Sequence, residues 1–163
     1  MMNKKQGLQP VVQNSMENTA VSIQTASWHD VGQLRQLEQE CFGEDAWPLI
    51  DLIGVLTMPG VVRLKAVFED QMVGFVAGDT RSEEGIGWIT TLGIRKTYRR
   101  QGIAQSLLTL CEERMGMRCI RLCVRRDNDP ALNLYEQNGY HRFDVWSNYY
   151  GQGRDALVLE KKD

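Results

Sequence analysis

The run Tyr98-Arg-Arg-Gln-Gly-Ile-Ala104 places two guanidinium groups, Arg99 and Arg100, beside Gly102 at the head of an amphipathic stretch. Ile103, Leu107, Cys111 and Met115 fall in one row there, which predicts a helix from about Gly102 to Met115. A helix N-terminus leaves its first backbone N–H groups without intrahelical partners and carries partial positive charge. Gly102 has no Cβ to hold a ligand away from the main chain. Amides and charges together make a seat for phosphate or pyrophosphate. The apolar run Trp88-Ile-Thr-Thr-Leu-Gly-Ile94 reads as the strand that delivers this loop. In isolation the same residues also fit an ordinary strand–loop–helix turn with two solvated arginines.

A second cluster is Asn128-Asp-Pro-Ala-Leu-Asn-Leu-Tyr-Glu-Gln-Asn-Gly-Tyr140. Asp129 as cap and Pro130 at the first helical position start a short helix, and Asn138-Gly139 stops it. Tyr135 brings a phenol that can donate a proton, although Ala131, Leu134 and Tyr135 share a face, so a lone tyrosine there also reads as packing. Asn128 by itself is a turn or cap residue.

The elements around these clusters follow from periodicity. Residues 1–19 are polar and rich in Asn and Gln, a flexible tail; residues 20–163 read as one domain. Val21-Ser-Ile-Gln-Thr25 alternates as a first strand. Ser27 caps a helix from Trp28 to about Phe42, with Val31, Leu34, Leu37 and Cys41 on one face. A second helix runs from Pro48 to about Leu56 and ends before Met58-Pro-Gly60. Val61 to Phe68 and Met72 to Ala77 form a hairpin around Glu69-Asp-Gln71. Cys119 to Arg125, Tyr140 to about Tyr150 and Asp155 to Glu160 are the later strands. The order β-α-α-β-β-β-α-β-α-β-β implies an α/β (α+β) fold, a mixed sheet with helices on both faces.

Composition narrows the function. The 163 residues suffice for a sizeable core, and the net charge of −2 argues against a nucleic-acid binder. No apolar run is long enough to span a bilayer, and no apolar core follows the charged start as a secretory signal requires. The four cysteines, Cys41, Cys111, Cys119 and Cys123, form no Cys-x-x-Cys pair. A zinc site is therefore not expected, nor any other metal, and the thiols read as reduced and buried in a cytoplasmic protein.

The two clusters resemble the signatures of the GNAT superfamily of acetyl-CoA-dependent N-acetyltransferases, over roughly residues 21–162. The pattern Arg/Gln-x-x-Gly-x-Gly/Ala is met by Arg99-Arg-Gln-Gly102-Ile-Ala104. The Asn–Ala–Leu-Tyr-Glu–Gly-Tyr pattern is met by residues 128–140. Either is short, but the pair at this separation, each in its strand–helix setting, is specific. Within the superfamily Leu122-Cys-Val-Arg125, Ser147-Asn-Tyr-Tyr150 and Asp155-Ala-Leu-Val-Leu159 resemble the RimI-type ribosomal-protein-alanine N-acetyltransferases. The resemblance implies a GNAT fold: a mostly antiparallel sheet of six to seven strands with four helices.

The same resemblance implies the site. Leu92, Gly93 and Ile94 would hold the pantetheine arm of acetyl-CoA through backbone groups, with the Leu92 N–H stabilising the carbonyl oxygen as charge develops. The segment Arg99, Arg100, Gln101, Gly102, Ile103, Ala104 and Gln105 would cradle the pyrophosphate. Tyr135 would be the general acid for the departing thiolate, and Asn128 would lie near the cofactor arm. Trp47, Tyr149 and Tyr150 fall where RimI-type enzymes contact a peptide end; rim packing is the equal alternative for each. His29 and His141 match no motif.

The general base is where the sequence departs from its relatives. RimI-type enzymes carry Glu where Cys123 stands, and other branches carry Glu where Trp88 stands. Strand alternation puts Cys123 with Cys119 and Arg121, opposite Ile120, Leu122 and Val124. A free α-amine of pKa ~7.8 is about one-third neutral near pH 7.5, whereas a Lys amine of pKa ~10.4 is only ~0.1% neutral. A site with a weak base therefore favours α-amines, unless water or a carboxylate such as Glu44 or Asp45 serves. The expected acceptor is a protein or peptide N-terminus; the alternatives are a small-molecule amine (polyamine, amino acid or drug) or a non-catalytic coenzyme-A-binding module. The expected state is a monomer or homodimer.

Overall fold

The computed structural model describes residues 20–163, so the expected tail at 1–19 lies outside the described residues. The strands are β1 (Ser22–Thr25), β2 (Val61–Phe68), β3 (Gln71–Arg81), β4 (Ile86–Ile94), β5 (Cys119–Arg125), β6 (His141–Trp146) and β7 (Ala156–Lys162). The helices are α1 (Val31–Phe42), α2 (Leu49–Thr57), α3 (Ile103–Met115) and α4 (Asp129–Gln137). The seven strands form one sheet in the order β1-β2-β3-β4-β5-β7-β6. Every neighbouring pair is antiparallel except β4 and β5, which are parallel. Parallel neighbours need a long crossover, and α3 supplies it.

Alternation along the strands divides the core in two. On one face Leu107, Leu108 and Cys111 of α3 and Leu132 of α4 pack with Val76, Ile89, Leu122 and Leu159. On the other, Leu34 and Leu37 of α1 and Leu52 and Leu56 of α2 pack with Met72, Phe75 and Ala77. Each such leucine contributes about 2 kcal/mol by leaving water. The second cluster stops at the β2–β4 half of the sheet, so its face over β5, β7 and β6 carries no packed helix among the described residues. Gly93 lets α1 lie close on β4: a Cβ there would meet Cys41 Sγ and Leu37 Cδ2 at 3.2 Å.

The expected order of elements is present, with shifted boundaries. Trp28–Asp30 is a 3₁₀ turn rather than the first turn of α1. There Asp30 accepts the Ser27 N–H at 2.8 Å and pairs with Lys65 at 2.7 Å. β3 runs on to Arg81. β6 starts at His141 and stops at Trp146, because residues 147–155 fold into a turn region in which Asn148 Oδ1 accepts the Gly153 N–H and Asp155 accepts the Asn148 N–H. Of the four cysteines only Cys111 is buried; Cys41, Cys119 and Cys123 are half-buried.

Candidate active site

β4 and β5 pair only from Ile86–Cys119 to Ile89–Leu122 and then separate. The separation begins at a β-bulge. Ala77 of β3 faces Thr91 and Gly78 faces Ile89, so Thr90 is one residue too many for the ladder. Its hydroxyl donates to the Ala77 carbonyl at 3.2 Å. Bulges bend a strand and increase its twist. The Arg95 N–H donates to the Val73 carbonyl at 2.9 Å. By alternation the Leu92 and Ile94 backbone groups then point away from β3, into the gap between β4 and β5. Ile94 bears this out: its carbonyl accepts Arg99 Nε–H at 2.9 Å from that side.

The gap opens into a cavity of about 1080 Å³. Leu92, Gly93 and Ile94 line it from β4. Arg99, Arg100, Gly102, Ile103, Ala104 and Gln105 line it from the following loop and helix start. Arg100 has φ 61° and Gly102 φ 79°, two left-handed residues that fold the loop under α3. No side chain caps α3, so its first amides are left for a ligand. Asn128 lines the cavity and also caps α4, accepting the Ala131 N–H at 3.3 Å. Tyr135 lines it from α4; among the described residues its hydroxyl has no hydrogen-bond partner, and its ring meets Tyr140 edge-on at 5.7 Å. Burial pushes the Tyr135 phenol up, keeping it protonated.

Trp47 and Tyr150 line the cavity too. Gln101 and Tyr149 do not reach the cavity: Gln101 turns back to the Thr97 carbonyl at 3.5 Å, and Tyr149 is 54% exposed beside Tyr150. Cys123 lines the cavity, but burial pushes its thiol up to about 11, so it is no thiolate base. Asp45 is taken up by Arg154 and Arg125, and hydrogen bonding to Arg154 holds its carboxyl below the usual range.

The group missed from the sequence is Glu38. It is 1% exposed, lines the cavity, accepts Thr91 Oγ1–H at 2.9 Å and the Trp47 N–H at 3.4 Å, and has no Lys or Arg balancing it among the described residues. Burial raises its proton affinity. The signal was its place in the apolar stripe Leu34, Leu37, Glu38, Cys41, where a charge is out of register.

Two walls enclose this half of the cavity. Asp45, on the loop between α1 and α2, accepts Arg154 Nη1 at 3.0 Å and Nη2 at 3.1 Å, and Arg125 Nη1 at 3.1 Å. Arg154 Nη2 also donates to the Tyr150 carbonyl at 2.9 Å.

A gap lined by main-chain groups, ending at an uncapped helix start with two arginines, fits an extended arm closed by a pyrophosphate. Comparison with known proteins agrees. Residues 28–140 match the Acetyltransferase (GNAT) family, and the chain belongs to it. It is an N-acetyltransferase with acetyl-CoA as donor. The chain is 30% identical over 148 residues to the N-terminal acetyltransferase A complex catalytic subunit NAA10 of Arabidopsis thaliana, covering 86% of this chain and 77% of that one. The ribosomal-protein-S18-alanine N-acetyltransferase of Escherichia coli superposes with TM-score 0.78 at 19% identity, covering 88% and 94% of the two chains. Arabidopsis thaliana NAA60 in complex with acetyl-CoA superposes with TM-score 0.77 at 21% identity, covering 88% and 98%.

Proposed function

We propose that the protein acetylates the α-amine of a protein or peptide N-terminus by direct transfer from acetyl-CoA. The observation that carries this reading is Glu38, a buried carboxylate facing the cavity with no cation of its own. An unpaired buried carboxylate is costly, and an incoming ammonium relieves that cost. Burial raises its proton affinity, in the direction of an α-amine's. Glu38 takes the proton of the acceptor amine at the carboxylate held by Thr91 and Trp47.

Acetyl-CoA, when bound, supplies an activated acyl carbon and a sulfur leaving group. The Leu92 N–H stabilises the developing oxyanion. The amides from Arg99 to Gln105 hold the pyrophosphate, with Gln101 supporting the turn from outside. Asn128 fixes the start of α4 beside the cofactor arm. Tyr135 keeps a proton at its hydroxyl for the departing sulfur. Trp47 and Tyr150 flank the acceptor, and Tyr149 supports Tyr150. The name of the Arabidopsis NAA10 relative, a catalytic subunit of an N-terminal acetyltransferase complex, supports a protein end as acceptor. Free thiols suit the reducing cytoplasm, where we place the protein.

The test is acetyl transfer by the purified chain to three sets of acceptors: peptides with free N-termini, N-blocked peptides carrying lysine, and small amines. Turnover with the first set alone is expected. Preference for lysine side chains or polyamines would overturn the reading.

A further inference from the structure

From the acceptor side of the cavity, four aromatic rings follow one another over the sheet face that α1 and α2 leave uncovered. Tyr150 lines the cavity. Its ring meets Tyr149 at 4.9 Å, Tyr149 lies 5.6 Å from Trp146, and Trp146 lies 5.8 Å from Trp88. The Arg81 guanidinium closes the row, 5.7 Å over Trp88. Trp146 is 38% and Tyr149 54% exposed. Asp144 fixes the Trp146 indole, accepting its Nε1–H at 3.1 Å.

We propose that this row is an extended acceptor track: it binds the segment of polypeptide that follows the residue being acetylated, through apolar and aromatic side chains. The inference rests on the reading that the acceptor is a protein N-terminus. Continuity argues for this occupant, since the row begins at a ring that forms the cavity wall. Length argues for it too: the three ring-to-ring steps make a path of at most about 16 Å, which up to about five extended residues cover at ~3.3 Å each. A single amino acid would end beside Tyr150. Chemistry decides the preference. Asp144 turns its carboxylate to that indole and to the Val145 N–H at 2.7 Å, and Arg81 at the far end is paired with Asp79 at 3.4 Å and Glu84 at 3.8 Å, so what the row itself presents is ring faces.

The test compares peptides that share their first three residues. One is three residues long; two are ten long, with either Leu and Phe or Gly and Ser at positions four to eight. The full chain is used, as wild type, Trp146→Ala and Trp146→Phe. The apolar ten-residue peptide is expected to exceed the three-residue one roughly tenfold in kcat/KM, through KM. The Gly/Ser peptide is expected to stay near the three-residue value. Trp146→Ala should reduce the tenfold advantage to about twofold or less, Trp146→Phe should keep most of it, and acetyl-CoA affinity should be alike in all three proteins. Equal use of all peptides by wild type would overturn the track. So would an equal loss on every peptide in Trp146→Ala, or a change in its sedimentation, which would mark the face as a contact between copies. Failure to acetylate any peptide would overturn the proposed function itself, a different result from acetylation that ignores length.

Discussion

Asp45 and Arg154 lie 109 positions apart and meet in a two-pronged ion pair beside the cavity. Among the described residues, no backbone hydrogen bond joins the loop after α1 to the turn before β7. The walls carrying Trp47 and Tyr150 are therefore held in relation by side-chain charge, with Arg125 as a third member.

Asp45→Asn is expected to raise the KM for a peptide acceptor severalfold and leave acetyl-CoA affinity unchanged. Exposed ion pairs contribute about 0–1 kcal/mol, so the melting temperature should barely move. Asp45→Glu should restore part of the KM. Steady-state kinetics with each substrate varied in turn checks this, and an unchanged acceptor KM would dissociate the clasp from acceptor binding.

Tyr135→Phe keeps the ring that packs on Tyr140 and removes the proton. Turnover is expected to fall roughly 100-fold or more, the range for a lost general acid, with little change in acetyl-CoA affinity. Calorimetry beside kinetics separates the two; undiminished turnover would take Tyr135 out of the chemistry.

Glu38→Gln tests the base. Glu38 must be ionised to accept a proton, and burial raises its pKa. Activity should therefore rise with pH through an acid limb set by Glu38 and by the acceptor amine. In Glu38→Gln the Glu38 limb disappears and kcat/KM drops roughly 100-fold. A pH–rate profile of the same shape in both proteins would exclude the role.

Gly102→Ala probes the anion seat. A Cβ at Gly102 meets no protein atom within 4 Å, but φ is +79°. The cost to folding is then conformational, about 1 kcal/mol, while the methyl stands where the amides must approach phosphate. Acetyl-CoA affinity should fall more than tenfold. Titration calorimetry measures it, and unaltered affinity would place the pyrophosphate elsewhere.

Glu160 offers a pH test of stability. It is buried on β7, bonded to Arg121 and Lys162 at 2.8 Å, with its pKa held down to about 2 against burial by those bonds and Cys119. An unfolded Glu titrates near 4.3. Its contribution is therefore complete above about pH 5 and is lost as pH falls toward 2. Glu160→Gln should destabilise the protein at neutral pH and flatten its acid-unfolding limb between those values; an identical limb would refute the assignment.

Much of this was legible in the sequence because the loop before α3 and the start of α4 are local features. Gly102, Asn128 and Pro130 mark them through short-range backbone rules. Seven strands and four helices followed from periodicity. The half of the cavity around Glu38 was legible only in part: the resemblance pointed to Trp47 and Tyr150, which line it, but not to how α1, β5 and the turn before β7 meet there, which only the sheet order decides. Glu38 was passed over because it interrupts an apolar stripe, and Asp45, named as a possible base, could not be seen as an ion-pair partner because nothing local pairs it with Arg154. The stop of β6 at Trp146 was hidden because strand-favouring aromatics, Tyr149 and Tyr150, resume after only Ser147-Asn148.

The extra residue at Thr90 sets the parity of everything after it on β4. Trp88 and Thr91, three apart, end on the same side, and the amides of Leu92 and Ile94 look into the gap instead of along the ladder. Removing that one residue would restore strict alternation and exchange inside for outside from Thr91 to Ile94. A side-chain change at this spot trims a hydroxyl; a change in count rewrites the strand's reading frame, so tolerance of substitution here is no guide to tolerance of deletion.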